Sequence, residues 1–342
     1  MSQPSLVCYF ARVGDLVMFT PVLKALAAEG PLELCARPWA RPLLAAEPYL
    51  AAIHTLAKPN RGGVWDMLAG SPRARLGRTL GARGYHRIII LDRETPEIAA
   101  WITSWAGPIP ITVFPHVAQG ERSHLVDANI AAAVAAGITV ADPHPTLTIS
   151  PAQAESAARR LAACGRRVVA IQAGSSLTHR WLRRQPNLKG LAPAQWAGLC
   201  AKLFAEQACD AVVFLGSAPE GREARAILAA MPAELRAKCH DLTGAISLGE
   251  LPAFLAGCAG CVSVDTGPAH IAAAVGCRLL AIFGPTDPAR FVPRGPGQIG
   301  TVIGSAACRP CHGTKLFKTC RNNICLNGLT VDTLWAGWSA LD

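Results

Sequence analysis

The sequence has few aromatic residues, no long uninterrupted hydrophobic run and no polar low-complexity tract. Aromatic residues make up 6% of the chain and are not interleaved with the basic residues, which argues against nucleic-acid binding. The longest hydrophobic stretches, at residues 16–28, 255–261 and 271–283, are interrupted before they reach the roughly 18 residues of a membrane-spanning helix. The first residues show no basic region followed by an apolar one, so we predict no signal peptide and expect a soluble cytoplasmic protein.

The composition is that of a folded chain large enough for two domains. It has 342 residues, of which 51% are hydrophobic, and its mean hydropathy is +0.27. Since a domain typically has about 150 residues, we expect two of them. The net charge of +10 arises from 33 Lys and Arg against 23 Asp and Glu. It indicates either simple solubility or attraction to an anionic substrate or membrane surface.

Thirteen cysteines occur in a chain with no predicted secretion signal, which favours thiols over a disulfide framework. Nine stand singly at apolar positions and are predicted to be small core residues. The other four are Cys308, Cys311, Cys320 and Cys325, a C-x-x-C pair followed by a more widely spaced pair. Four thiolates in one short segment can bind zinc or iron in a structural site. The alternative is four free thiols or two labile disulfides.

Strand-like and helix-like segments alternate through both halves of the chain. The first half has predicted strands at residues 5–9, 32–35, 53–55, 87–91 and 111–114, with a helix from Phe19. A proline-rich segment at 141–151 follows, and then helices at 152–164, 193–207, 220–230, 248–257 and 268–275 alternate with strands at 167–172, 211–215, 260–264 and 278–283. This pattern predicts an α/β fold with two doubly wound Rossmann-like domains, residues 1–145 and 151–328, whose parallel sheets face a central cleft. A last helix within residues 329–342 is expected to pack back on the first domain.

Two strand-to-turn junctions in the second half are suited to a diphosphate. Residues 264–268, VDTGP, end a strand and begin a helix, with Pro268 in its first turn and Gly267 allowing close backbone approach. The N–H groups and the dipole of such a helix start favour an anion. A second junction, FGPTDP at residues 283–288, follows the neighbouring strand. Either junction alone suits an ordinary turn in which Asp265 caps a helix, but the two together favour a diphosphate site.

These junctions resemble the signature of glycosyltransferase family nine, the ADP-heptose:lipopolysaccharide heptosyltransferases. Three further stretches are similar to the family pattern and occur in its order. They are RVGDL at residues 12–16 with TPVLKAL at 20–26, KGLAPAQW at 189–196, and VFLG at 213–216 with DLTG at 241–244. The resemblance therefore covers most of the chain, from about Leu6 to Val331.

The resemblance implies a GT-B arrangement, with the acceptor on the first domain and the nucleotide sugar on the second. It implies inverting transfer of heptose from ADP-heptose to a lipopolysaccharide inner-core acceptor without a metal ion or other required cofactor. The sequence has no Asp-x-Asp motif that would hold a cation on the diphosphate. The implied partners are a nucleotide-diphosphate sugar and an anionic glycolipid, with the protein peripheral at the inner face of the inner membrane.

The family's candidate general base corresponds to Asp15, which would deprotonate the acceptor hydroxyl. The alternative for Asp15 is a carboxylate that only caps a helix. Lys189 resembles the family lysine that neutralises the departing diphosphate. Beside it the chain departs from the family pattern, because Leu191 and Ala192 replace a Trp and a Pro. The preceding loop carries arginines that can share the phosphate role, at positions Arg180, Arg183 and Arg184.

The remaining predicted site residues bind donor or acceptor. The donor-binding residues are predicted to be Gly14, Gly174, Ser175, Asp265, Thr266, Gly267, Pro268, His270, Gly284 and Thr286. The acceptor-binding residues are predicted to be Lys58 and Arg61, in a region that continues with Arg73, Arg75 and Arg78. Guanidinium groups suit carboxylates and phosphates, although a solvated basic surface is the alternative.

Two other functions stay open at this point. One is heptose transfer to a protein Ser or Thr, as in autotransporter glycosylation, for which the cysteine cluster is the only support. The other is a non-catalytic relative that binds a nucleotide sugar, which the departures near Lys189 motivate. Nucleotide binding without transfer to any acceptor would distinguish that relative from an enzyme.

Overall fold

Two parallel sheets organise the chain, one in each of its two units, Met1–Thr148 and Ile149–Asp342. The computed structural model describes residues 3–57, 70–91, 96–114, 123–175 and 188–341. The boundary between the units falls within the proline-rich segment at residues 141–151. The described strand pairs are all parallel, which confirms the predicted α/β fold with two parallel-sheet domains.

The first unit holds a sheet of order β3-β2-β1-β4-β5. Its strands are β1 Ser5–Tyr9, β2 Leu32–Ala36, β3 Leu50–Thr55, β4 Arg87–Leu91 and β5 Ile111–Phe114. Its described helices are α1 Val13–Val17, α2 Thr20–Ala28, α3 Ala40–Leu43, α4 Pro72–Gly81, α5 Pro96–Ala106 and α6 Leu125–Ala135. Strand β1 pairs with β2 and β4, so the first strand of the chain is the central one.

The second unit holds a sheet of order β11-β10-β9-β6-β7-β8. Its strands are β6 Val168–Gln172, β7 Ala211–Phe214, β8 Cys239–Asp241, β9 Gly260–Val264, β10 Leu279–Phe283 and β11 Ile299–Ile303. Its described helices are α7 Pro151–Ala162, α8 Pro193–Ala205, α9 Gly221–Ala229, α10 Ala233–Arg236, α11 Leu251–Ala256, α12 Gly267–Ala274, α13 Pro288–Phe291, α14 Lys315–Thr319, α15 Ile324–Asn327 and α16 Val331–Ser339.

The central strands are buried along their whole length. This holds for β1, β2, β6, β7, β9 and β10. Parallel strands covered by helices on both faces are near-continuous apolar runs, and such runs made these strands predictable. The two strands that the sequence did not predict, β8 and β11, lie at the edges of the second sheet and are only partly buried.

The last helix, α16, corrects a sequence-based expectation. We expected it to pack on the first domain, but it belongs to the second unit and packs there on α8 and β11. Its Trp338 is 1% exposed, and the Arg278 guanidinium stacks over the Trp338 ring at 4.3 Å and donates to the Trp338 carbonyl at 2.7 Å. A Cβ at Gly260 would meet the same ring at 2.4 Å, so β9 accepts this tryptophan only because Gly260 has no side chain.

None of the described helices combines the length and the apolar character needed to cross a membrane.

Candidate active site

The predicted donor residues of the second unit lie at one edge of its sheet. Because its strands are parallel, the turns that follow β6, β9 and β10 meet at the edge formed by their carboxyl ends. These turns begin at Ala173, Asp265 and Gly284 respectively. Ligands of open α/β sheets bind at this edge, so the position agrees with a donor site.

A buried ion pair stands at the centre of this edge. The Nζ atom of Lys189 lies 2.7 Å from Oδ2 of Asp265 and also donates to the Asp265 backbone carbonyl at 3.2 Å. The exposed fractions of the two side chains are only 10% and 8%. The two predicted residues, 76 positions apart in sequence, are therefore in direct contact.

Electrostatics keep the Asp265 carboxylate ionised. Burial alone would raise the pKa of Asp265, but the nearby Lys189 ammonium and His270 outweigh burial and lower that pKa. Breaking a buried pair of this kind leaves an uncompensated charge, so each member fixes the position of the other. Lys189 is thus held as a localised positive charge where the strands end.

Helix α12 begins directly after this pair. Thr266 is its N-cap residue, Gly267 and Pro268 form its first turn, and His270 is 4% exposed. The Thr266 hydroxyl donates to the Val264 carbonyl at 3.1 Å and makes no cap bond to the helix. The positive end of the helix dipole therefore lies next to the Lys189 ammonium, and both favour a bound anion.

The turn after β10 is held by the cysteine-bearing segment. Arg309 donates to the carbonyls of Gly284 and Thr286, the latter at 3.2 Å. The backbone N–H groups of Cys311 and His312 both donate to the Pro285 carbonyl at 3.0 Å. Arg309, Cys311 and His312 thereby form part of the wall of the predicted donor site.

Glu220 is a buried residue at this edge that the sequence analysis did not select. Its Oε2 accepts from the backbone N–H and the hydroxyl of Ser217, both at 2.7 Å, and its Oε1 accepts from Gln172 at 3.1 Å. A Cβ at Gly174 would meet this carboxylate at 2.7 Å, which explains why glycine follows β6 here. The Ser-x-x-Glu spacing of a capping box after a predicted strand was the available signal. Ser175, two residues beyond Ala173, is 3% exposed.

A pocket of about 350 Å³ adjoins Lys189 on the side of α8 and α9. Gly190, Trp196, Glu223 and Arg321 are among its lining residues. Within the described part of the chain, the Trp196 indole N–H and the Glu223 Oε2 atom are buried and make no hydrogen bond.

In the first unit, Gly14 and Asp15 follow the carboxyl end of the central strand β1. Asp15 is 8% exposed, and its Oδ2 accepts from the Arg12 backbone N–H at 3.4 Å at the start of α1. The carboxylate therefore caps a helix, as the alternative interpretation proposed. It also lies at the strand edge where ligands bind, so its assignment as the general base stays a prediction.

Several predicted basic residues fall outside the described part of the chain. They are Lys58 and Arg61, predicted to bind the acceptor, and the loop arginines Arg180, Arg183 and Arg184.

Of the basic residues that follow Arg61, Arg73 is 8% exposed and lies over the Trp101 ring at 5.6 Å. Arg73 is thus a packed residue of the first unit and not part of a solvated basic surface.

The four clustered cysteines are free thiols. Burial raises the pKa of Cys311, and the neighbouring Cys308, Cys325 and Cys320 raise it further. Nonetheless, no group of three or more His, Cys, Asp or Glu side chains among the described residues is arranged to hold a metal ion. The nine remaining cysteines are also free, and six of them are buried.

The model of glycosyltransferase family 9 (heptosyltransferase) matches residues 73–320. The chain therefore belongs to glycosyltransferase family 9, the heptosyltransferases, and is an enzyme that transfers a sugar. No curated protein matches the chain in sequence.

Solved structures of this class share the fold along nearly the whole chain. The ADP-heptose lipopolysaccharide heptosyltransferase II of E. coli is 21% identical with a TM-score of 0.75, and the match covers 99% of this chain and 98% of that one. A family 9 glycosyltransferase from Veillonella parvula is 16% identical with a TM-score of 0.79 and coverages of 99% and 97%. The E. coli heptosyltransferase WaaC, solved with ADP, is 16% identical with a TM-score of 0.68 and coverages of 99% and 100%.

Proposed function

We propose that the protein transfers heptose from ADP-heptose to an inner-core sugar of lipopolysaccharide, with inversion at the anomeric carbon. The observation that carries this proposal is the buried contact between Lys189 and Asp265 beside the start of α12. A fixed ammonium and a helix N-terminus at one strand edge are suited to a sugar nucleotide's diphosphate. ADP as the nucleotide is supported by the WaaC complex, in which ADP is bound.

In the proposed reaction, Asp15 accepts the proton of the acceptor hydroxyl as its oxygen attacks the anomeric carbon. The new C–O bond forms on the face opposite the nucleotide, and the bond from the anomeric carbon to the diphosphate oxygen breaks. ADP leaves with both electrons of that bond, so negative charge increases on the leaving oxygen. Lys189 and the dipole of α12 stabilise that charge in the transition state.

We propose that transfer needs no metal ion, and the same two groups support this. In metal-dependent sugar transfer a divalent cation neutralises the leaving diphosphate, and we propose that the buried Lys189 ammonium takes that role here. We therefore expect the rate of transfer not to rise when Mg²⁺ or Mn²⁺ is added.

The acceptor is proposed to be an anionic glycolipid, reached by an enzyme that associates peripherally with the inner face of the inner membrane. Lys58 and Arg61 are proposed to bind its carboxylate and phosphate groups. The net charge of +10 supports an anionic partner.

The proposal is tested by incubating the purified protein with ADP-heptose and a soluble, delipidated inner-core acceptor, and measuring released ADP. UDP- and GDP-sugars serve as competing donors. We expect Asp15→Asn to lower kcat by about 100- to 10,000-fold, because a general base typically contributes that much, while ADP affinity by calorimetry is unchanged. The matched control is Asp332→Asn, a substitution of an exposed carboxylate in the first turn of α16. ADP binding without any transfer would instead support the non-catalytic relative.

We further propose that Cys308, Cys311, Cys320 and Cys325 hold a structural zinc or iron ion. The donor chemistry fits, since four thiolates are the ligand set of structural zinc and of iron–sulfur centres. The described geometry does not present a formed site, so metal binding would have to draw the four sulfurs together. Metal analysis of the native protein and of a Cys308→Ser/Cys311→Ser variant tests this: about one ion per chain is expected, lost in the variant. If the native protein contains no metal, the four cysteines are free thiols or disulfides instead.

A further inference from the structure

The positive charge of the chain is concentrated in one segment. Between Asp287 and Asp332 there are six Lys and Arg residues and no Asp or Glu. This stretch therefore supplies six of the ten net positive charges. The proposed donor site uses one of these cations, Arg309, which is turned inward onto the carbonyls of Gly284 and Thr286.

The outward-facing part of this segment combines cations with exposed apolar side chains. Lys315, Lys318 and Arg321 are exposed. Leu316 is 51% exposed and Ile324 is 57% exposed, and both are among the most exposed large hydrophobic residues of the described chain. We call these five residues the basic apolar patch.

The Ile324 end of the patch is anchored from below, so the exposure of Ile324 does not result from a loose loop. The Asn323 side-chain amide is buried and donates to the Gly190 carbonyl at 2.8 Å. Cys325 and Leu326, which follow Ile324, are buried, and Gln195 of α8 donates to the Leu326 carbonyl at 2.9 Å. Ile324 is exposed between buried Asn323 and buried Cys325, so these neighbours fix the direction in which it points.

We propose that the basic apolar patch binds the surface of an anionic lipid bilayer. Each Lys or Arg near an anionic membrane contributes about 1 kcal/mol of attraction, and exposed apolar side chains gain further by entering the boundary between headgroups and acyl chains. Three cations and two apolar side chains give weak, reversible binding. Nucleic acid is a poorer fit, because stacking needs exposed aromatic side chains and the patch has none.

The inference builds on the proposed function, since a glycolipid acceptor would place the enzyme at a membrane, but binding is measured independently of transfer. The probe is flotation with vesicles of phosphatidylcholine, with and without phosphatidylglycerol. We expect the native chain to bind only the anionic vesicles, and less at high salt. Lys315→Glu/Lys318→Glu is expected to weaken binding at least about tenfold, because charge reversal turns attraction into repulsion. Leu316→Ser/Ile324→Ser is expected to weaken it by several-fold at any salt concentration.

Matched controls separate the patch from general charge and hydrophobicity. Arg166→Glu/Arg225→Glu reverses two exposed cations of the same unit, and Val134→Ser removes an apolar side chain that is 59% exposed. Equal loss of binding in these controls, or no binding of the native chain to anionic vesicles, would overturn the proposal. Self-association of the native chain can be measured by light scattering. If Leu316→Ser/Ile324→Ser abolishes such self-association, the patch is an interface between copies of the chain, and the proposal is overturned.

Transfer to the soluble, delipidated acceptor should be unchanged in the patch variants. If the native chain releases no ADP with that acceptor but still binds anionic vesicles, the proposed function fails and the patch proposal stands. If the native chain releases ADP with that acceptor but does not bind anionic vesicles, the patch proposal fails and the proposed function stands.

Discussion

Two buried carboxylates, one in each unit, have different surroundings. Glu33 is 2% exposed and accepts hydrogen bonds from Tyr85 at 2.6 Å, from His54 at 2.8 Å and from the Arg83 guanidinium. Asp265 is 7% exposed, and its principal partner is the single ammonium of Lys189. The first carboxylate is thus satisfied by several hydrogen-bond donors of its own unit, whereas the second depends mainly on the Lys189 ammonium.

Their positions on the sheets explain the difference. Glu33 is the second residue of β2, so it lies at the amino end of its strand, away from the edge where ligands bind. Asp265 follows the carboxyl end of β9, at the ligand edge. A buried ion pair is poor evidence of stabilisation by itself. At the ligand edge we propose that the pair holds Lys189 where negative charge develops during transfer, whereas at the opposite edge a fully bonded carboxylate stabilises the fold.

The largest expected effect is on the Lys189 side of the comparison. Lys189→Met removes the ammonium but keeps most of the side-chain volume, so we expect kcat to fall by about 100- to 1,000-fold through lost transition-state stabilisation. Steady-state ADP release measures it. The control is Lys202→Met, which removes a lysine that pairs with Glu206 at 2.9 Å on an exposed helix face.

Retention of activity in Lys189→Met would mean that another cation neutralises the leaving diphosphate. The loop arginines before Lys189 would then be the next residues to replace. If Lys189→Met instead lowers the free energy of unfolding without changing kcat in the folded fraction, the pair is structural, and the contrast with Glu33 disappears.

The sequence predicted the features that depend on local patterns. Continuous apolar runs located the central strands, and the VDTGP and FGPTDP junctions located the ligand edge of the second sheet. Lys189 and Asp265 were each predicted to be site residues, separately, through the family resemblance. Their direct contact could not be predicted, because it joins positions 76 residues apart through the fold.

Other features escaped prediction for physical reasons. Helix α16 was expected to pack on the first unit, because the apolar residues of a helix do not show which surface they cover. Its place depends on Gly260 leaving space for Trp338. Arg73 was grouped with surface arginines because its burial against Trp101 depends on the packing of two helices, α4 and α5.

A smaller effect is expected on the Glu33 side. Glu33→Ala leaves the buried Tyr85 hydroxyl and the His54 ring without their acceptor, whereas Arg83, 45% exposed, can be solvated again. We expect the free energy of unfolding to fall by about 2–3 kcal/mol, measured by urea denaturation, with kcat of the folded protein unchanged. Glu155→Ala is the control, since its pair with Arg159 is exposed and should cost about 0.5 kcal/mol or less. Lost activity in folded Glu33→Ala would instead connect this network to catalysis.

The pH dependence of stability gives the smallest and most specific signal. Burial would raise the pKa of Glu33, but the hydrogen bonds from Arg83, Tyr85 and His54 outweigh it and hold the pKa below its ordinary value of 4.5. A carboxylate whose pKa is lowered by folding contributes stability above its unfolded pKa and loses it as the pH falls through the folded value. The free energy of unfolding should therefore decrease below about pH 4.5, and Glu33→Gln should reduce that slope. The pKa of Asp265 is lowered in the same direction, as are those of Asp210 and Glu250, so part of the slope should persist in Glu33→Gln. An unchanged slope in Glu33→Gln would show that the Glu33 network adds no charge-dependent stability, which would remove the structural half of the comparison.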